Sequence, residues 1–295
     1  MNIGTTIGGR TVDDIVTATR TAADAGMHSV WSSQIFGLDA LTALAIAGRE
    51  VPGIALGTGV VPTYPRHPMM LAAQARTVQQ ASGGRLQLGI GLSHQVVIEG
   101  MLGMSFDKPL RHMREYLSIL VPLCDGEPSN FAGDTLTGRV TLDVPCDPVP
   151  VLVAALGEKM LRLAGATTAG TMTWMTGPRT IDEHIAPTIN AAAAEAGRSA
   201  PRVVVSLPVA VTDDPDASRA TAAELFAIYG TLPSYRAMLD REGVEGVADV
   251  AIVGDESEVR DRITALLAGG ATEFVAAPFD NLGRTTTLLA ELASA

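Results

Sequence analysis

The chain reads as an α/β protein: a single (β/α)8 (TIM) barrel domain over residues 1–295, with insertion segments at the C-terminal face of its strands. Strand-like and helix-like apolar patterns alternate from end to end, as expected for βα units on a parallel sheet. Eight strand candidates can be counted, the number that closes such a barrel. No Pro/Gly/Ser-rich linker separates two halves, and no G-x-G-x-x-G turn follows the first strand, which weighs against an open doubly wound sheet.

The first strand is Ile3 to Ile7, and Val12 to Ala25 repeats apolar residues at helical spacing before the stop at Gly26. His28 to Ser33 and the helix Leu38 to Arg49 form the second unit. The third is Ile54 to Val61 with a helix from Pro68 to Ala81, where proline stands at the first helical position. Strand four is Arg85 to Ile90. A long excursion then runs from Gly91 to about Val144, with a helix over Pro109 to Leu123. Its glycines at 133 and 138 and the alternating Val140, Leu142 and Val144 predict a hairpin over the barrel mouth. Strands five to seven are Val149 to Ala155, Thr171 to Trp174 and Arg202 to Val211, with helices over Lys159 to Thr168 and Ile181 to Ala196. Ala217 to Glu242 is helical with a break near Gly230 and Pro233, and Val247 to Val253 is a short apolar segment. A capped helix over Asp255 to Leu267, the final strand Glu273 to Ala277 and a helix to Leu292 close the chain.

Composition narrows the function. Hydrophobic residues make up 47% and charged residues 18%, and the longest apolar runs are too short to span a bilayer. The start of the chain lacks a basic segment followed by an apolar one, so no signal peptide is read there and a cytoplasmic protein is expected. A net charge of -11 argues against a nucleic-acid surface, which needs clustered Lys and Arg. Cys124 and Cys146 have neither CxxC spacing nor a histidine cluster, so no metal site is expected and both read as reduced structural thiols.

The densest chemistry lies at strand ends. Thr58-Gly-Val-Val-Pro-Thr-Tyr-Pro-Arg-His-Pro-Met-Met runs from strand three into a helix, and Gly89-Ile-Gly-Leu-Ser-His94 ends strand four. In a parallel barrel such turns build the site. Read alone, Gly59 is a strand-end glycine. His94 is either a turn histidine bonded to backbone or a proton carrier, since imidazole titrates near neutrality. Val153-Ala-Ala-Leu-Gly157-Glu-Lys-Met leads from strand five into a helix, whose unpaired N–H groups and dipole favour an anion. Lys159 adds a point charge there. Trp174-Met-Thr-Gly-Pro-Arg179 is the parallel turn after strand six. Arg111 lies on the excursion helix, in a charged face or near the mouth.

These stretches resemble the bacterial luciferase-like flavin and deazaflavin oxidoreductases, especially those that use coenzyme F420. The resemblance covers nearly the whole chain and is densest over residues 26 to 120 and 150 to 180. It implies a non-proline cis peptide at Gly59–Val60 supporting the tricyclic ring, with Ser33, Leu92 and Ser93 nearby. It implies that His94 moves the proton as hydride moves. It implies that Leu156, Gly157, Glu158, Lys159 and Met160 hold the coenzyme phosphate, with Trp174, Gly177 and Arg179 on the far side of its tail. Many relatives carry Ser-Asp-His where this chain has Ser33-Gln34. Gln34 can hydrogen-bond but not exchange a proton, so sugar-phosphate dehydrogenase activity is not expected and Gln34 stands as a second catalytic candidate.

The expected activity is hydride transfer between deazaflavin C5 and a small organic substrate, hydrophobic or conjugated given Met101, Leu102 and Met104 near the mouth. An FMN-dependent two-component monooxygenase is the enzyme alternative, and a non-catalytic F420 carrier the alternative of another class. No nucleic-acid or membrane partner is expected; a homodimer is, since barrel relatives commonly pair.

Overall fold

A computed structural model describes residues 1–295. Eight parallel strands form the ring: β1 (Ile3–Ile7), β2 (Ser29–Ser32), β3 (Ala55–Thr58), β4 (Leu86–Gly91), β5 (Val151–Val153), β6 (Gly170–Trp174), β7 (Arg202–Val211) and β8 (Glu273–Pro278). Each pairs in parallel with its chain neighbours, and β8 returns to β1 with Ile3 opposite Phe274. The barrel is therefore closed. No helix is long and apolar enough to cross a membrane.

Alternation along the strands sorts the core into two parts. On β7, Val203, Val205, Leu207, Val209 and Val211 join the large core between strands and helices, whereas Val204 belongs to the inner cluster with Trp31, Leu152, Met172 and Val275. Below that cluster Glu273, 1% exposed, is held by Arg202 and Ser29, and Trp31 Nε1 donates to Ser29 Oγ at 2.8 Å and to Glu273 at 3.1 Å. The floor is thus a set of polar groups that satisfy one another, the condition under which a buried charge is tolerated.

Helix Val12–Asp24 starts on a capping box of Thr11 and Asp14, and the chain leaves it through Gly26 at φ +74°. Helix Pro109–Asp125 fills the place between β4 and β5, anchored at its C-terminal end by Arg76, which donates to the carbonyls of Leu123 and Cys124. Both cysteines are free thiols, and burial pushes each pKa up, which favours the protonated thiol.

Four expectations are corrected. The third strand stops at Thr58 and resumes as Val61–Pro62 beside Ile90 and Gly91, because a cis peptide joins Gly59 to Val60. The hairpin, Ser129–Ala132 with Thr137–Val140, does not cover the mouth. It lies on the flank of helix Pro109–Asp125, since Glu115 accepts the N–H groups of Asp134, Thr135 and Leu136 at 2.9–3.0 Å and Gly138 packs on Ile119. The helical stretch after β7 breaks at Leu232, between Gly230 and Pro233 as expected, but also at Phe226, giving helices Pro215–Leu225, Ala227–Thr231 and Pro233–Glu242. Val247–Val250 is a helical turn followed by a strand, Ile252–Gly254, that pairs with the end of β7.

Candidate active site

The residues one step beyond the inner cluster point to the C-terminal mouth by strand alternation. They are Ser33, Gly59, Gly91, Ala154, Trp174, Ser206 and Ala277. Apart from Trp174 all are Gly, Ala or Ser, so the barrel is left open above Met172. A Cβ on Gly59 would lie 2.8 Å from Met172 Cε, and one on Gly91 2.8 Å from Val60 Cγ2. Glycine at these two positions is what lets Val60 and Met172 form a close floor. The bend at Gly59–Val60 is tied on both sides: Ser33 Oγ donates to Gly59 O at 2.6 Å, Gln34 N–H to Val60 O at 3.2 Å, and Thr58 Oγ1 to Gly89 O at 2.8 Å.

Gln34 has a structural task. Its Oε1 accepts the Ala40 N–H at 2.8 Å and so helps begin helix Ala40–Glu50. Its oxygen is committed to backbone, which leaves only its Nε2 to meet a ligand. His94 differs. It follows Ser93, in the left-handed region at φ +62°, and stands at the start of the short helix Gln95–Ile98 without capping it. The half-buried imidazole makes no hydrogen bond within the chain and lies 5.8 Å from the Tyr235 ring. Burial lowers its pKa below the usual 6.5, favouring the neutral ring. Leu92 packs against the main core.

After β5, the N–H groups of Gly157, Glu158 and Lys159 find no acceptor in the chain, at the start of the ten-residue helix Glu158–Thr167. Glu158 and Lys159 are exposed, while Leu156 and Met160 turn into the core. His184 fixes the turn from behind, its Nε2 2.8 Å from Leu156 O. Because the trans peptide sets C=O and N–H in opposite directions, this contact turns the Gly157 N–H away from His184.

The turn after β6 does not repeat this arrangement. Glu242 takes the Arg179 N–H at 3.1 Å, the Thr180 N–H at 2.8 Å and the Thr180 hydroxyl at 2.7 Å. Arg179 pairs with Glu183 at 3.1 Å on the surface. Gly177 is needed because a Cβ would run into the Glu242 carboxylate.

The helices after β7 bring in residues not foreseen from sequence. A row of rings crosses the mouth: His94 beside Tyr235, Tyr235 5.2 Å from Tyr229, Tyr229 and Phe226 each 5.8 Å from Trp174, and Phe226 5.8 Å from Phe279. Burial raises the pKa of both Tyr229 and Tyr235. Trp174 Nε1 lies near enough to the Tyr229 phenol to pull its pKa back somewhat, but without hydrogen-bond geometry. The available signal was density: Phe226, Tyr229 and Tyr235 fall close together in a chain with only 2 Trp, 4 Tyr and 6 Phe.

A surface groove of about 770 Å3 lies elsewhere, between helices Val12–Asp24 and Leu282–Ser294. Its only titratable lining residue, Glu291, is paired with Arg260 at 2.9 Å. The mouth, with unpaired polar groups and a half-buried histidine, is the better site.

A family model for luciferase-like monooxygenases matches residues 2–273. The chain is 28% identical over 265 residues to a 5,10-methylenetetrahydromethanopterin reductase of Methanolobus tindarius, across 89% of this chain and 80% of that protein. Its fold resembles the coenzyme F420-dependent tetrahydromethanopterin reductase of Methanopyrus kandleri, with TM-score 0.81 and 22% identity over 99% and 98% of the two chains. It also resembles the oxygenating constituent of 3,6-diketocamphane monooxygenase from Pseudomonas putida in complex with FMN, with TM-score 0.76 and 18% identity over 99% and 96%. With almost its full length matched, the chain belongs to the luciferase-like monooxygenase family.

Proposed function

We propose that this protein is an F420-dependent oxidoreductase that moves a hydride between deazaflavin C5 and a small hydrophobic or conjugated organic substrate. The observation that carries the reading is the free row of N–H groups at Gly157, Glu158 and Lys159, beside a mouth lined by Gly, Ala and Ser. The residues fit a planar coenzyme with an anionic tail. A Cβ on Gly157 would meet nothing within 4 Å, so an anion can approach the backbone closely. The F420-linked names of relatives support the coenzyme; the FMN-bound relative supports the shared fold.

Once bound, the coenzyme supplies the hydride chemistry at C5. The chain does the rest. Gly157 to Lys159 hold the tail, and Lys159 adds the positive charge that an acidic protein otherwise lacks at this place. Val60 and Met172 form the floor. His94 holds or releases the proton at its imidazole; with its pKa lowered it is neutral near pH 7 and acts as base when substrate is oxidised, and as acid in the reverse direction at lower pH. The protein is read as cytoplasmic and homodimeric, with light scattering as the check on the dimer.

Equilibrium titration by fluorescence quenching tests the coenzyme. F420 is expected to bind at low micromolar concentration or below, and NAD and NADP not at all, since the dinucleotide turn is missing. Tighter binding of FMN than of F420 would overturn the assignment.

A further inference from the structure

We propose that Trp174 and Ser206 form a two-point recognition site for the oxygen of a neutral carbonyl or hydroxyl compound. This names the substrate class of the site above and rests on that reading. β6 and β7 are neighbours, and Ser206 stands directly opposite Trp174 in their parallel register. Both occupy the layer that faces the mouth. Trp174 Nε1 and Ser206 Oγ are both buried without a hydrogen-bond partner, Ser206 at 1% exposure.

Buried polar groups normally have partners, and an orphan carries a desolvation cost. The other tryptophan shows the normal case, with its Nε1 bonded to Ser29 and Glu273. Two orphans side by side therefore point to a ligand. The indole N–H can only donate and the hydroxyl can do either, so a carbonyl or hydroxyl oxygen with two lone pairs can accept from both. The ligand is neutral because rings surround the pair and the unpaired Lys159 of the neighbouring turn is assigned to the coenzyme tail. Arg66 pairs with Asp39, Arg111 with Asp134 and Arg179 with Glu183. An anion among Trp174, Phe226 and Tyr229 would be desolvated without a counter-charge. Those last two rings pack edge-on against the indole at 5.8 Å and must shift to admit the ligand.

In the reducing direction, hydride adds to the carbonyl carbon and the C=O electron pair moves onto oxygen. The indole N–H and serine O–H stabilise that growing negative charge. A proton from His94 or solvent then gives the alcohol. The substrate gains two electrons and the reduced deazaflavin loses two.

The test is calorimetric titration with cyclohexanone, with methylenecyclohexane as the same shape without the oxygen, and with glucose 6-phosphate as an anion. Wild type, Trp174→Phe and Ser206→Ala are compared, with and without oxidised F420. Each substitution should weaken cyclohexanone binding about 3- to 10-fold, the worth of one hydrogen bond. Methylenecyclohexane binding should not change in either variant, and the F420 Kd should not change in Ser206→Ala. Equal cyclohexanone affinity in wild type and variants, no cyclohexanone binding, or tighter binding of the phosphate would overturn the proposal. Ser206→Ala decides the matter alone if Trp174→Phe does not fold. Loss of F420 binding in wild type would instead sink the coenzyme assignment, and the coenzyme-free titration still judges the pair.

Discussion

β5 and β6 end alike, in a glycine that opens a helix without a side-chain cap of its own. Their fates differ. At Gly177 the backbone N–H groups are closed by the carboxylate of Glu242, and the turn becomes the clasp that holds helix Pro233–Glu242 to the barrel. At Gly157 no carboxylate arrives, and the N–H groups stay open. The same local device is a staple in one place and left open in the other, and what decides is a residue far along the chain. Two histidines divide in the same way: His184 is bonded to the Leu156 carbonyl, whereas His94 has no partner.

The sharpest break between committed and uncommitted groups should come from His94→Ala. Turnover is expected to fall roughly 100-fold with F420 affinity little changed. Because burial holds the His94 pKa below 6.5, substrate oxidation should rise with pH through a limb below 6.5, reduction should fall through the same limb, and the variant should lose it. Near-normal turnover with an unchanged pH profile would return His94 to the status of a turn residue.

Next in size is a reciprocal pair. Gly177→Ala drives a Cβ into the Glu242 carboxylate and leaves the buried Thr180 hydroxyl without its main acceptor, so unfolding stability should drop by about 1–3 kcal/mol. F420 affinity should hardly move. Gly157→Ala meets no atom of the chain but crowds the approach of an anion. It should cost at most about 1 kcal/mol of stability, through the poorer N-cap, and weaken F420 several-fold. Urea titration and fluorescence quenching read the two effects separately, and a pattern the other way round would dissolve the contrast between the turns.

The smallest effect concerns a second carboxylate that closes backbone N–H groups, Glu115. Burial pushes the Glu115 pKa up, but the hairpin N–H groups and the Thr135 hydroxyl outweigh it and hold the pKa at about 2. Its contribution to stability is present above the usual carboxylate value of 4.5 and is lost as pH falls from there toward about 2. The urea midpoint of Glu115→Gln should therefore depend less on pH across that window than that of wild type. Parallel curves would refute the coupling.

The barrel was legible because strands buried on both faces leave long apolar runs; Arg202 to Val211 is found with the bounds expected. The glycine-opened helix start at Gly157, with its free N–H groups, was legible because its groups are local. What escaped is what depends on distant contacts. Glu242 is an ordinary helix-end acid in sequence and becomes a cap only when its helix docks. Gln34 looks like a substrate contact until Ala40 comes within its reach. Ile252–Gly254 is too short to declare itself a strand, and pairs only because β7 runs on beyond the ring.

That overrunning strand has an evolutionary corollary. Val211 lies opposite Gly254, and the Thr212 N–H bonds Gly254 O at 2.8 Å, so the segment between them leaves and rejoins the barrel at almost the same point. Closing its ends carries little dependence on its length, which enters only logarithmically. A shorter or longer segment can be exchanged there while the ladder seals the join. Phe226, Tyr229 and Tyr235 all ride on this detachable cassette, whereas Gly157, His94 and Ser206 belong to the frame, so the ring-lined rim can be reshaped by insertion or deletion without disturbing the strand ends beneath it.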